Sequence, residues 1–560
     1  MKKFLSLALI LVLTFSIVLT GCSPSEPADE PSEEAEASED AEAEKEDEEV
    51  KEEPKEEKKK TLVFARSGDA VGLDPANVTD GESIYVTGNI LDTLLMYEKD
   101  NTAVTEGLAT DWETTDEENK VWELTLREGV KFHDGTDFNA DAVVFNFKRW
   151  MNKDNEYRFA GENYEYYSYM FGGFPGNIES VEAVEDYKVK ITLKEPSAPF
   201  LNNIAMAPFA IMSPTAIKKH KEDIFKNPVG TGPFEFVEWV KNDKIVLKKN
   251  ENYWGKGPKL DELVFRAIPD NSARLLELQS GSVDMMIGVS PDDAQIVKDD
   301  ENLDLYLRPS MNVGYLALNM EKEPFDDVKV RKAFNHAVNK QAIIDAFYGG
   351  LAEPAKNPVP PSLWGYNDEI EPYEYNPEKA KELLAEAGYP DGFETTLWAM
   401  PVSRPYMPQP KEISTALQQQ LAAIGVKAEI VTMDWGTYLD KTGNGEHDTA
   451  LLGWTGDNGD PDNFVYVLLD KDNAKAPGAG NISFYKSDEL HDLLVKAQQD
   501  PNKDKRIEYY KKAQEIIHAD APWVPLVHST PPIAARKEVK GFVPHPTGSE
   551  TTFWNIDIEE

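Results

Sequence analysis

Between about residue 260 and residue 528, apolar positions recur at helical spacing in some stretches, run unbroken in others, and the two kinds alternate. Ala380, Leu383, Leu384 and Ala387 follow one another at steps of three, one and three, which places them on one helix face. Asn376 and Pro377 stand just ahead as N-cap and first-turn proline, and Gly388 follows, so the pattern predicts a helix bounded by both. Ile413, Leu417 and Leu421 mark a second helix over 411–423, and Gly425 then leads into an apolar strand at 426–431. The same reading gives helices over 272–279, 328–339, 340–347 and 505–518, the first of them ahead of a strand at 283–287. Helices that feed directly into strands predict α/β packing.

The earlier chain has a different texture. Residues 121–126 and 181–193 alternate polar and apolar as half-buried antiparallel strands do, and only one helix, over 140–151, is predicted between them. A strand-rich subdomain is expected there. The chain opens with Lys2 and Lys3, runs apolar from Phe4 to Leu19, and then reads Leu19-Thr20-Gly21-Cys22. That run is short for a membrane span and ends in small residues, as a secretion signal does. Cys22 is the only cysteine in 560 residues and so has no intrachain disulfide partner. Its place after Leu-Thr-Gly resembles the bacterial lipobox and predicts lipid on its sulfur.

Composition then separates a leader from a body. Ser23 to Lys60 holds 18 acidic residues and 6 lysines with no aromatic, too little apolar surface to offset chain entropy. Residues 22–60 are expected to be an extended acidic tether behind a 1–21 signal peptide. The whole chain carries a net charge of -43, which opposes binding to nucleic acid. The body exceeds the roughly 250 to 300 residues at which single cores stop growing, so at least two cores are expected.

Nothing in the chemistry points to catalysis. The chain has no His-Glu-x-x-His, no Gly-x-Ser-x-Gly and no Gly-x-x-x-x-Gly-Lys, and its eight histidines are scattered without ligand spacing. No cofactor or metal is expected. Two segments stand out instead. In Trp398-Ala-Met-Pro-Val-Ser-Arg404-Pro-Tyr406-Met-Pro, an arginine sits among prolines and aromatics; its planar fork suits a bidentate grip on a carboxylate, with a structural ion pair as the alternative. In Gly453-Trp454-Thr455-Gly456-Asp457-Asn458-Gly459-Asp460-Pro461-Asp462-Asn463-Phe464, glycines permit close backbone approach and acids crowd beside an aromatic.

From Thr61 onward the chain resembles the family 5 extracellular solute-binding proteins of ABC importers, and among them the dipeptide binders. The stretches that carry this are Asn227-Pro-Val-Gly-Thr-Gly-Pro-Phe234, Asn252-Tyr-Trp254, Leu124-Thr-Leu-Arg-Glu-Gly-Val-Lys-Phe-His-Asp-Gly135 and Asp327-Val-Lys-Val-Arg331. The resemblance implies a two-lobed periplasmic-binding-protein-like α/β fold: lobe I at 61–315 and 530–560, with its strand-rich subdomain at about 104–227, and lobe II at 316–529. It implies crossings near 310–319 and 526–532. It also implies that Arg404 takes a peptide's carboxylate and Asp457 its α-ammonium, with lesser roles for Thr79, Gly81, Tyr164, Tyr406 and Trp454. The N-terminal loop departs from the family's Glu-Gly-x-x-x-x-Phe-Asn-Pro, reading Ser67-Gly68-Asp69-Ala-Val-Gly-Leu73-Asp74-Pro75. The expected function is capture of dipeptides or short peptides for an ABC permease by a monomer anchored through Cys22 on the extracytoplasmic face. Glutathione or haem is an alternative ligand of the same fold; a surface peptidase or adhesin is the alternative from another class.

Overall fold

The computed structural model describes residues 59–548 and 553–559. The expected signal segment, Cys22 and nearly all of the acidic tether lie outside the described residues.

Two large sheets organise the body. The first has seven strands in the order Leu303–Leu307, Pro532–Arg536, Met285–Ile287, Thr61–Arg66, Glu262–Ala267, Lys244–Lys249, Phe234–Val240. Thr61–Arg66 pairs in parallel with both neighbours, and the outer strands run antiparallel. Successive residues point to opposite faces, so Leu62, Phe64, Leu263 and Phe265 enter one core while Ala65, Met286 and Ala534 enter another.

The second sheet has six strands in the order Ala352–Pro354, Trp523–Ser529, Asn312–Leu318, Thr449–Thr455, Glu394–Trp398, Lys427–Val431. Asn312–Leu318 and Trp523–Ser529 are buried at every position. Tyr315 stacks on Trp523 with ring centres 3.7 Å apart. A separate antiparallel sheet of Ala109–Thr114, Val121–Leu126, Lys188–Leu193 and Ile178–Glu185 carries helix Ala140–Met151.

The capping signals translate into structure. Asn376 accepts from the Lys379 N–H at 3.0 Å ahead of helix Pro377–Glu386, and Gly388 beyond its end has φ +94°. Helices Asn271–Ser280, Val328–Ala337, Lys340–Phe347, Pro410–Ala422 and Lys503–Asp520 lie where periodicity predicts them, the last extending further at both ends. One helix between the antiparallel strands is additional to the expectation: Glu165–Phe171. Its run of Tyr166, Tyr167, Tyr169, Met170 and Phe171 is apolar almost all round, so no periodic stripe marks it.

The chain passes from the first sheet to the second through 308–311 and returns through 530–531. The two passages run side by side, with the Arg308 N–H donating to the Pro531 carbonyl at 3.0 Å. This is a two-lobed α/β fold, with one large sheet in each lobe. Among the described residues, no helix is long and apolar enough to cross a membrane.

Candidate functional site

Strand pairing explains how two distant motifs converge. Glu394–Trp398 and Thr449–Thr455 are parallel neighbours, so the loops that follow them, 399–409 and 456–461, leave the sheet on one edge. Asn312–Leu318 runs antiparallel to Thr449–Thr455, which brings the interlobe passages to that same edge. In open α/β sheets such carboxyl edges are where ligands lodge. A cavity of about 190 Å³ lies there, bounded by the two loops, both passages and helix Gly81–Thr87 of the first lobe.

Arg404 enters this cavity from a braced backbone. Its N–H and C=O pair with Met407 at 3.0 and 2.9 Å, with Pro405 and Pro408 beside it. The guanidinium lies 4.5 Å above the Trp435 ring, and Nη1 donates to Glu82 Oε1 at 3.1 Å across the interlobe space. Glu82 also accepts from the Ser67 hydroxyl at 2.6 Å and sits 3.8 Å from Arg66. Arg404 therefore has a carboxylate partner already, supplied by the first lobe.

Asp457 faces the same cavity and has no cation. Oδ1 accepts from the Tyr166 hydroxyl and Oδ2 from Asn463 Nδ2, each at 3.0 Å. Asn463 Oδ1 in turn accepts from the Asp457 N–H and from Trp454 Nε1, both at 2.9 Å, which locks the loop. Among the described residues no arginine, lysine or histidine lies within 4 Å of the carboxylate. Burial pushes it up to about 7 from an ordinary 3.8, against the pull of its neutral donors. The other two acids of the motif serve the scaffold: Asp460 pairs with Arg506 at 2.8 Å, and Asp462 accepts from Gln498 at 3.1 Å.

Tyr406 and Trp454 both line the cavity, as do Thr79 and Gly81. Asp80 between the last two caps helix Gly81–Thr87, accepting from Ser83 N and Oγ at 3.1 and 2.8 Å. Burial raises the Asp80 carboxyl, and the Arg404 charge opposes the rise. Tyr164 stands apart. It is fully buried at the start of helix Glu165–Phe171, donates to Glu162, and carries the Arg149 and Arg158 guanidinium groups 5.3 and 4.5 Å over its ring. On that helix Tyr166, two residues on, lines the cavity and donates to Asp457. Glu82, Trp435 and Arg308 also line the cavity, and no motif in the sequence marks them.

Gly453 has a packing reason. A Cβ there would lie 2.2 Å from Tyr406 Cδ2 and 2.5 Å from the Val313 carbonyl. Gly453→Ala is expected to push the Tyr406 ring into the cavity and cost about 1 to 3 kcal/mol, as overpacked cores do. Urea unfolding measures that loss; a variant with unchanged midpoint would mean the contact is loose.

Comparison with known proteins bears on this site. The middle region of the bacterial extracellular solute-binding proteins, family 5, matches residues 103–476. The dipeptide-binding protein of Escherichia coli (strain K12) is 41% identical over 517 residues, 89% of this chain and 95% of the relative. Heme-binding protein A of Haemophilus influenzae is 39% identical, over 89% and 92% of the two chains. Among solved structures, the ABC transporter-associated periplasmic binding protein DppA from Helicobacter pylori, in complex with the peptide STSA, superposes with a TM-score of 0.85 at 40% identity. That match covers 89% of this chain and 98% of the other.

Proposed function

The chain belongs to family 5 of the bacterial extracellular solute-binding proteins, and on that premise we propose that it captures dipeptides or other short peptides and delivers them to an ABC permease. In this reading Asp457 receives the α-ammonium and Arg404 the free carboxylate. Tyr166, Tyr406 and Trp454 wall the peptide, and Thr79 and Gly81 approach it from the first lobe. A lipid on Cys22 holds the protein at the extracytoplasmic face, with the acidic segment as spacer.

One observation carries the proposal: a lone buried carboxylate and an arginine fork face one cavity from adjacent loops. Burying either end of a zwitterion is costly unless it meets an opposite charge with good geometry. Two opposite anchors at a fixed separation satisfy both ends of a short peptide, because each residue extends a chain by only about 3.3 to 3.6 Å. Closure about 308–311 and 530–531 would exclude water from both contacts and strengthen them.

The test is titration calorimetry with Ala-Ala, a tripeptide, the tetrapeptide Ser-Thr-Ser-Ala, glutathione, haem, and Ala-Ala blocked at either end. Expected is binding of a free short peptide that is lost when either terminus is blocked. Binding of haem in preference to every peptide, or equal binding of blocked and free Ala-Ala, would refute the two-anchor reading.

A further inference from the structure

Two arginines, Arg308 and Arg404, line the cavity, with Arg66 behind Glu82, and the three differ in partners. Arg66 lies 3.7 Å from Asp69 and 3.8 Å from Glu82. Arg404 bonds Glu82 at 3.1 Å. Arg308 has no carboxylate within 4 Å among the described residues, although it is only 3% exposed. Its Nε and Nη2 have no hydrogen-bond partner there either, and the side chain lines the cavity. The Tyr85 hydroxyl is its polar neighbour.

A buried guanidinium with two unspent donors is costly in an empty protein, and an anion in the cavity removes the cost. The surrounding geometry fixes where that anion sits. Glu82, which holds Arg404, and Tyr85, which faces Arg308, are three residues apart on helix Gly81–Thr87. Residues so spaced lie on one helix face, so both arginines approach the cavity beside the same face of that helix. Arg308 also sits in the passage 308–311, tied by its N–H to Pro531 of the other passage.

We propose that Arg308 is a second anion anchor of the cavity, so that the protein favours peptides whose C-terminal residue is acidic, with the α-carboxylate on Arg404 and the side-chain carboxylate on Arg308. The two carboxylates of a C-terminal glutamate are separated by a few bonds, so one residue presents an anion to each of two cations that line the same cavity. This rests on the peptide reading above and narrows it from any short peptide to an acidic subset. Glutamine in the same position has the same shape and no charge, which isolates the electrostatic contribution.

The experiment is calorimetry of the full chain with Ala-Glu, Ala-Gln, Ala-Ala and Glu-Ala, repeated on Arg308→Gln and Arg308→Lys. For the wild type, Ala-Glu is expected to bind roughly tenfold or more tighter than Ala-Gln, the scale of one charge-assisted contact. Glu-Ala, with its acid at the other end, should gain nothing over Ala-Ala. In Arg308→Gln the Ala-Glu to Ala-Gln ratio should collapse to about one, and Arg308→Lys should keep part of it. Equal wild-type affinities for Ala-Glu and Ala-Gln overturn the second anchor and leave peptide capture standing. Absence of binding for all four peptides overturns both. The wild-type comparison decides even if the Arg308→Gln protein fails to fold.

Discussion

Arg404→Ala is expected to weaken binding of a free dipeptide on the order of a hundredfold and, by taking one cation from buried Glu82, to lower the urea midpoint of the unliganded protein. The backbone of the segment does not depend on the side chain, because the Arg404–Met407 pair and the flanking prolines hold it. What the truncation removes is the cation that bonds Glu82 and would meet an incoming carboxylate at the Trp435 wall. Truncating one member of a buried, hydrogen-bonded charge pair costs roughly 2 to 5 kcal/mol, and each 1.4 kcal/mol is tenfold in affinity. Arg404→Lys restores charge without the fork and should recover only part of the loss. Calorimetry with Ala-Ala reads the outcome, and an Arg404→Ala protein that binds Ala-Ala as the wild type does would remove the carboxylate anchor.

The same residue shows how far the sequence alone reaches. Its surroundings, an arginine between prolines and aromatics, set it apart from a solvated helix face, and the structure does place it in a cavity with Trp435, Tyr406 and Pro405. Its partner Glu82 was not legible, because the pairing joins residues far apart in sequence through the approach of two lobes. Element positions were readable where a helix has one apolar stripe and a cap, as at Asn376 to Gly388. They were not readable at Glu165–Phe171, whose all-round aromatic packing erases the period. Arg308 illustrates a further limit. It follows strand Leu303–Leu307, no motif marks it, and residues distant in sequence, Tyr85 and Gly548, lie against its guanidinium.

Asp457→Asn is expected to abolish most binding and, above neutrality, to stabilise the empty protein. In the empty cavity the carboxylate has two neutral donors and no counter-charge, and burial holds it up to about 7. The unfolded chain releases that proton near 3.8, so between about 4 and 7 the folded state binds more protons and loses stability as pH rises. Above about 7 the loss is complete and constant. An asparagine carries no such proton, so the variant should match the wild type in urea unfolding near pH 4 and exceed it at pH 8. The ligand reverses the balance. An α-ammonium, charged below about 8, favours the ionised carboxylate and drives the proton out on binding. Wild-type affinity should therefore fall up to about tenfold per pH unit below 7, with proton release visible as a dependence of the heat on buffer ionisation enthalpy. The Asp457→Asn protein should bind weakly at every pH and release no proton. Wild-type affinity that stays flat from pH 7 to pH 5, with no proton release, would show that Asp457 does not meet the ammonium.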